Sequence, residues 1–177
     1  MDLLERADDL EVLEQALADA ERSSGSVVLI GGEAGIGKTR LVQSFSENHA
    51  GDARILWGGC DDLSTPRTLG PFRDIAGQVD GHLKDAVVDG TRSEVFDAVL
   101  DVVVDANIPT AVVIEDVHWA DGATLDVLKF LGRRIERAPE HAQPHETTWV
   151  FNRRAQPRAI GLPLPRSSFG HPPPVEN

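Results

Sequence analysis

The sequence predicts an α/β fold, a parallel sheet packed between helices, and three observations predict it. Residues 27–30 (Val-Val-Leu-Ile) are a continuous apolar run, followed at once by a glycine-rich turn and a helical pattern. Residues 54–57 are a second short run of strand-forming character. Residues 111–114 are a third run, wholly apolar and closed by Glu115 and Asp116. Unbroken apolar runs mark strands buried on both faces, and strands separated by helical patterns mark βαβ units with parallel strands.

In chain order, Leu3, Leu4, Ala7, Leu10, Leu13, Ala16, Leu17 and Ala20 recur at helical spacing. They predict an amphipathic helix over 2–22, ended by Ser23, Ser24 and Gly25. The first strand and the glycine-rich turn follow. Arg40, Leu41, Val42 and Phe45 then begin a helix that runs to about Asn48. Gly58 and Gly59 close the second strand, and 61–69 reads as a polar loop. Pro71 suits the first turn of a helix over 71–79. Thr91-Arg92-Ser93-Glu94 is a capping box. It opens a helix through Val95, Phe96, Val99, Leu100, Val103 and Val104 that stops before Pro109. After the third strand, Asp121 is placed to cap a last helix, with Leu125, Leu128, Phe130, Leu131 and Ile135 on its buried face. Arg133, Arg134 and Arg137 near its end read as charges favoured by the helix dipole, with a phosphate role as the alternative. There is no internal repeat.

The glycine-rich turn carries the chemistry. Gly32-Glu33-Ala34-Gly35-Ile36-Gly37-Lys38-Thr39 fits G-x-x-x-x-G-K-[ST] at every fixed position, between a strand and a helix as that motif requires. A triphosphate presents closely spaced anionic oxygens. Glycines let successive backbone N–H groups turn toward such oxygens, above the positive end of the next helix. Lys38 is placed to reach the β- and γ-phosphates and the Thr39 hydroxyl to bind Mg²⁺. Arg40, next in sequence, completes the candidate nucleotide-contacting stretch from Gly32. Ligands of open α/β sheets bind at the carboxyl ends of strands, where Glu115 and Asp116 also lie. Glu115 takes the place of the Mg²⁺-holding acid, with Thr39 as its partner on the metal. Asp116 is the candidate catalytic residue, polarising an attacking water. His118 and Trp119 read either as packed rings or as relays of nucleotide state to the neighbouring loop.

Composition narrows the function classes. The 177 residues suit one domain, and 41% hydrophobic residues suffice for a core. The formal net charge of −12 disfavours attraction to nucleic acid or an anionic membrane. Cys60 is the single cysteine, which excludes an intrachain disulfide and suits a reducing cytosol. The acidic N-terminus lacks the basic and apolar regions of a secretory signal, and no apolar run reaches membrane-spanning length. A cytoplasmic location is expected. Composition changes near Ala138: residues 138–177 hold three of the 29 acidic residues, four of the 17 basic residues and eight of the 11 prolines.

GEAGIGKTRLV, GGCDDLSTPRTLGPFRDIA and VVIEDVHWADGATLDVLKFLGRR together resemble the N-terminal ATPase module of large LuxR-type bacterial transcription regulators. These are MalT-like, STAND-class members of the AAA-like P-loop group, and the two site motifs are their Walker A and Walker B. The resemblance covers about residues 1–137. It implies a three-layer P-loop NTPase fold of the ASCE or AAA-like kind, ATP and Mg²⁺ as ligands, and ATP-dependent switching. It also implies a strand inserted between the Walker A and Walker B strands, and it makes Arg6 a nucleotide contact. The expected division is a partial P-loop ATPase domain over 1–137 and a proline-rich, largely disordered tail over 138–177. The tail shows nothing of the family's sensor strand, helical lid or helix-turn-helix, so the parallel sheet is expected to be incomplete at the C-terminus. Two accounts of it stand: a truncated product with an unrelated tail, or a chain in which residues 147–151 (Thr-Thr-Trp-Val-Phe) supply the inserted strand. Two functions stand likewise. One is an ATP-binding, weakly hydrolysing switch module without its own DNA-binding domain. The other is a non-catalytic remnant or protein-interaction module. No direct contact with nucleic acid or membrane is expected.

Overall fold

A computed structural model of the chain describes residues 7–22, 25–104, 108–137 and 147–154. The first helical pattern forms α1 (Ala7–Glu21), and its expected start at residue 2 lies outside the described residues. There follow β1 (Ser26–Gly32), α2 (Lys38–Asn48), β2 (Arg54–Gly59), α3 (Gly70–Ala76) and α4 (Leu83–Asp89). Then come α5 (Arg92–Val104), β3 (Thr110–Glu115), α6 (Gly122–Arg137) and β4 (Thr147–Arg154), with a 3₁₀ turn at Val117–Trp119 between β3 and α6.

All four strands are parallel, in the order β1-β4-β3-β2. The strands that carry the two motifs, β1 and β3, are therefore not neighbours. The strand between them is β4, which aligns Val150 with Val28 on one side and Val113 on the other. An interior strand without a partner leaves backbone N–H and C=O groups unpaired, at about 1–3 kcal/mol each. Residues 147–151 are thus part of the sheet, within a strand that extends to residue 154.

Helices cover both faces. On one, Leu13 and Leu17 of α1 and Leu41, Val42 and Phe45 of α2 pack with Ala111 and Val113. On the other, Phe72 and Ile75 of α3, Leu83 of α4, Val99 of α5 and Val127 and Leu131 of α6 pack with Leu56, Val112 and Ile114. Successive residues of β3 alternate between the two layers, which is why its sequence is apolar without interruption. The result is the three-layer α/β fold with a parallel sheet. Among the described residues no helix is long and apolar enough to cross a membrane.

The first strand, read as buried, leaves Leu29 58% exposed and none of its residues fully buried, and two further elements depart from the sequence reading. The helix expected over 71–79 is Gly70–Ala76, entered from Leu69 in the left-handed region (φ 56°). Gln78, expected inside that helix, instead turns its amide to β2: Trp57 N–H donates to Oε1 at 3.0 Å, and Nε2 donates to the Trp57 carbonyl. Asp74 Oδ2 accepts from Gly59 N–H at 3.1 Å. These side chains close part of the outer edge of β2, where unpaired strand groups would invite pairing with another chain. The second departure is α4, which the sequence reading leaves out. Its buried face is Leu83, Ala86 and Val87, two turns in which a 3.6-residue period scarcely repeats. The capping box at 91–94 forms as read. Glu94 accepts from Thr91 N–H at 2.6 Å and from Thr91 Oγ1 at 2.8 Å, and the backbone bond first, then the hydroxyl, hold its carboxyl below the usual carboxylate range.

Candidate functional site

The glycine-rich turn leaves β1 and enters α2 within a few residues. Gly35 (φ 79°) and Gly37 (φ 91°) lie in the left-handed region, with nothing within 4 Å of where a Cβ would stand. Conformation, not crowding, requires glycine at these two positions. Gly37 offers α2 no side-chain cap, and the first helical bond runs from Leu41 N–H to the Gly37 carbonyl at 3.0 Å. The N–H groups of Lys38, Thr39 and Arg40 therefore precede the helical ladder, at the positive end of its dipole.

Lys38 is only 8% exposed, and its ammonium is satisfied by the turn itself. Nζ donates to the carbonyls of Gly32 at 3.1 Å and Glu33 at 2.9 Å. A cation held by carbonyls at the centre of a loop of backbone donors can exchange them for anionic oxygens, which make shorter and stronger bonds.

The third strand delivers its carboxylates to the same place. Glu115 Oε1 accepts from Thr39 Oγ1 at 2.8 Å, joining residues 76 apart in sequence. This pair brings the two sequence motifs together. Its oxygens are the hard donors that Mg²⁺ takes, alongside water and phosphate. Among the described residues no group of three or more His, Cys, Asp or Glu side chains could hold a metal by itself. Asp116, beside it, is half exposed and lies in the left-handed region (φ 50°, ψ 40°). The 3₁₀ turn that follows is closed by Trp119 N–H to the Asp116 carbonyl at 2.8 Å. His118 Nδ1 stands 3.8 Å from Asp116 Oδ1, and the His118 ring centroid lies 5.0 Å from that of Trp119.

Of the remaining sequence candidates, Ala34 and Ile36 lie within the turn between β1 and α2. Arg40 points its guanidinium to Glu47, 3.5 Å away on the exposed side of α2. Arg6 lies outside the described residues.

Two features around the site have no counterpart in the sequence reading. Asp121 caps α6 as expected, accepting from Ala123 N–H at 2.9 Å. Its second oxygen also accepts from Leu69 N–H at 3.1 Å and from the Thr124 hydroxyl. That bond fixes the left-handed Leu69 and ties the loop after β2 to the helix after β3. Arg67 in that loop bridges Asp61 at 2.9 Å and Asp74 at 3.3 Å, with the Asp61 hydrogen bond raising its pKa further. Cys60, whose N–H donates to the Glu115 carbonyl at 3.1 Å, sits among these acids. Burial first, then the charges of Asp121, Asp116, Asp61 and Asp74, push its thiol from 9.0 up to about 12. Leu69 and Asp121 lie 52 residues apart, and Cys60 and Glu115 are likewise distant, so no local pattern announces those links.

A chain of this architecture has solved counterparts. The ORC2 protein of Aeropyrum pernix, solved as ADPNP–ADP complexes, superposes with a TM-score of 0.61 at 19% identity, over 84% of this chain and 41% of that one. PCH-2 of C. elegans aligns with a TM-score of 0.49 at 12% identity, over 86% of this chain and 38% of its own. A mutant of RuvB from Thermotoga maritima aligns at 0.41 and 15% identity, over 84% and 39%. The chain thus spans about two fifths of the length of the structures it resembles, and the first of them establishes the likeness of fold. No curated protein matches the sequence. The family model described as AAA ATPase domain matches residues 2–142. That span takes in the glycine-rich turn, the paired carboxylates and the helices between them, and this chain belongs to the AAA ATPase domain family.

Proposed function

We propose that this chain is an ATP-binding, slowly hydrolysing P-loop switch module of the LuxR-type, MalT-like STAND kind, acting in the cytoplasm without direct contact to DNA. The observation that carries the reading is the 2.8 Å hydrogen bond from Thr39 to Glu115. It joins the two motifs at the carboxyl ends of their strands, where ligands of open α/β sheets bind.

In this reading residues Gly32 to Thr39 cradle the phosphates through their backbone N–H groups, with Arg40 and Arg6 as outer contacts. Lys38 exchanges the carbonyls of Gly32 and Glu33 for β- and γ-phosphate oxygens. The Thr39 hydroxyl and the Glu115 carboxylate, released from one another, would hold Mg²⁺. Mg²⁺, when bound, neutralises charge on the β- and γ-oxygens. Asp116 orients a water and takes its proton as the water oxygen bonds to the γ-phosphorus and the bond to the β-γ bridging oxygen breaks. Lys38 supplies the positive charge at the cradle, and Arg40, paired with Glu47 in the structure, would leave that carboxylate to reach a phosphate. Turnover is expected to be slow, below about 1 s⁻¹. The acidic balance, −12 overall, supports a module that works through protein contacts and not on nucleic acid.

A paired substitution tests the assignment. Glu115→Gln is expected to raise the Mg²⁺ concentration needed for ATP binding, and Asp116→Asn to leave binding intact while lowering single-turnover hydrolysis. If Glu115→Gln leaves the Mg²⁺ dependence unchanged, the proposed metal pair is wrong.

A further inference from the structure

We propose that His118 is a positioning residue for Asp116, donating an imidazole N–H to its carboxylate when Mg-ATP occupies the site. The inference rests on the ATP-binding reading above and adds a residue to it. Four observations converge. Both ring nitrogens of His118 are shut off from solvent, and neither has a hydrogen-bond partner among the described residues. A neutral imidazole carries one donor and one acceptor, and a buried polar atom without a partner is unfavourable, so the ring is poised for a bond it does not yet make. The nearest described carboxylate is Asp116, 3.8 Å from Nδ1, just beyond the hydrogen-bond range of about 3.2 Å.

Backbone geometry places the two groups together. Asp116 adopts φ 50° and ψ 40°, one of two non-glycine residues described in the left-handed region. Residues held there at a site are maintained by surrounding structure, here the 3₁₀ turn closed on the Asp116 carbonyl. That turn sets His118 two residues on, over the Asp116 side chain, with Trp119 packed against its ring. His118 is the more enclosed of the pair, with its side chain 20% exposed against 53% for Asp116. The carboxylate is therefore the partner free to move. A small rotation brings one of its oxygens into reach of Nδ1 and leaves the other for the water that Asp116 orients. Held at one oxygen, the carboxylate has fewer orientations from which to accept the water's proton.

The test is histidine ¹⁵N NMR on the full chain, with Mg²⁺ and a non-hydrolysable ATP analogue, beside single-turnover hydrolysis. On addition of the analogue the His118 resonances are expected to move to the Nδ1–H form with a hydrogen-bonded proton, and Asp116→Ala is expected to remove that change. His118→Leu is expected to lower the single-turnover rate at least tenfold with Mg-ATP affinity within twofold. His118→Asn, which keeps a donor near the Nδ1 position, is expected to recover most of that rate. Analogue binding with no response of His118 to Asp116→Ala, or equal rates in the Leu and Asn variants, overturns the role of His118 while leaving the nucleotide site standing. If the wild-type chain binds no analogue, the site reading fails and this proposal fails with it.

Discussion

Val150→Pro is the perturbation that bears most directly on the fold. Val150 is central in β4, aligned with Val28 of β1 and Val113 of β3, so the change falls between both motif strands. Proline has no N–H and is excluded from interior strand positions. The residue it replaces sits in a ladder with partners on both sides, so at least one bond is lost and a facing carbonyl loses its donor. An interior group left this way is worth about 1–3 kcal/mol. The pyrrolidine ring then distorts the adjacent backbone, which brings the expected loss to about 3 kcal/mol or more. Against a total stability of about 5–15 kcal/mol that is a large fraction. For a chain of this size about 3 kcal/mol lowers Tm by about 6–12 °C. Urea unfolding followed by far-UV circular dichroism reads the loss directly. Because β4 lies between β1 and β3, the same variant should weaken the proposed Mg-ATP binding. An unchanged unfolding midpoint with unchanged binding would mean that β4 is not the strand between them.

Other perturbations follow from the side chains around the site. Cys60, with its thiol pushed from 9.0 up to about 12, should react about a thousandfold more slowly than a free thiol toward alkylating reagents at pH 8, because the thiolate is the reacting form. Urea should restore ordinary reactivity, and fast labelling of the native chain contradicts the acidic, enclosed setting. Asp121→Ala removes the cap of α6 and the acceptor for Leu69 N–H, a loss of about 2–4 kcal/mol from a cap and a buried N–H together. A loss under about 0.5 kcal/mol in denaturant titration would show that the loop after β2 does not depend on that bond. Thr91→Ala, which opens the capping box at α5, should cost about 1 kcal/mol in the same titration. An unchanged midpoint there would show that α5 needs no cap.

Much of the candidate site is legible in the sequence because its parts are contiguous. The turn from Gly32 to Thr39 has specific residue types at fixed spacing, so the turn between a strand and a helix, with Lys38 at the helix start, could be read directly. The strand before Glu115 was legible because β3 is buried on both faces, which leaves an unbroken apolar run. Relations between distant residues were not legible. Nothing near Asp121 announces Leu69, 52 residues earlier, and nothing near Gln78 announces its bonds to Trp57. Helix α4 escaped because a seven-residue element shows too little of its period. The left-handed conformation of Asp116 escaped because aspartate tolerates several backbone regions, and the turn after it, not its own identity, selects one. The position of β4 depended on family resemblance together with the strand propensity of residues 147–151. The eight-residue length of the strand did not follow from either.

Thermal unfolding of wild type and Lys38→Ala, with and without Mg-ATP, decides whether Lys38 anchors a nucleotide. Ligand that binds only the folded chain stabilises it, by about 2.7 kcal/mol at a hundred times Kd, or about 5–11 °C in Tm for a chain of this size. Alanine keeps the backbone of the turn but removes the ammonium that Gly32 and Glu33 now hold. A clear upward shift with Mg-ATP is expected in the wild type and none in Lys38→Ala. Equal shifts in the two proteins, or none in the wild type, would contradict that anchoring role.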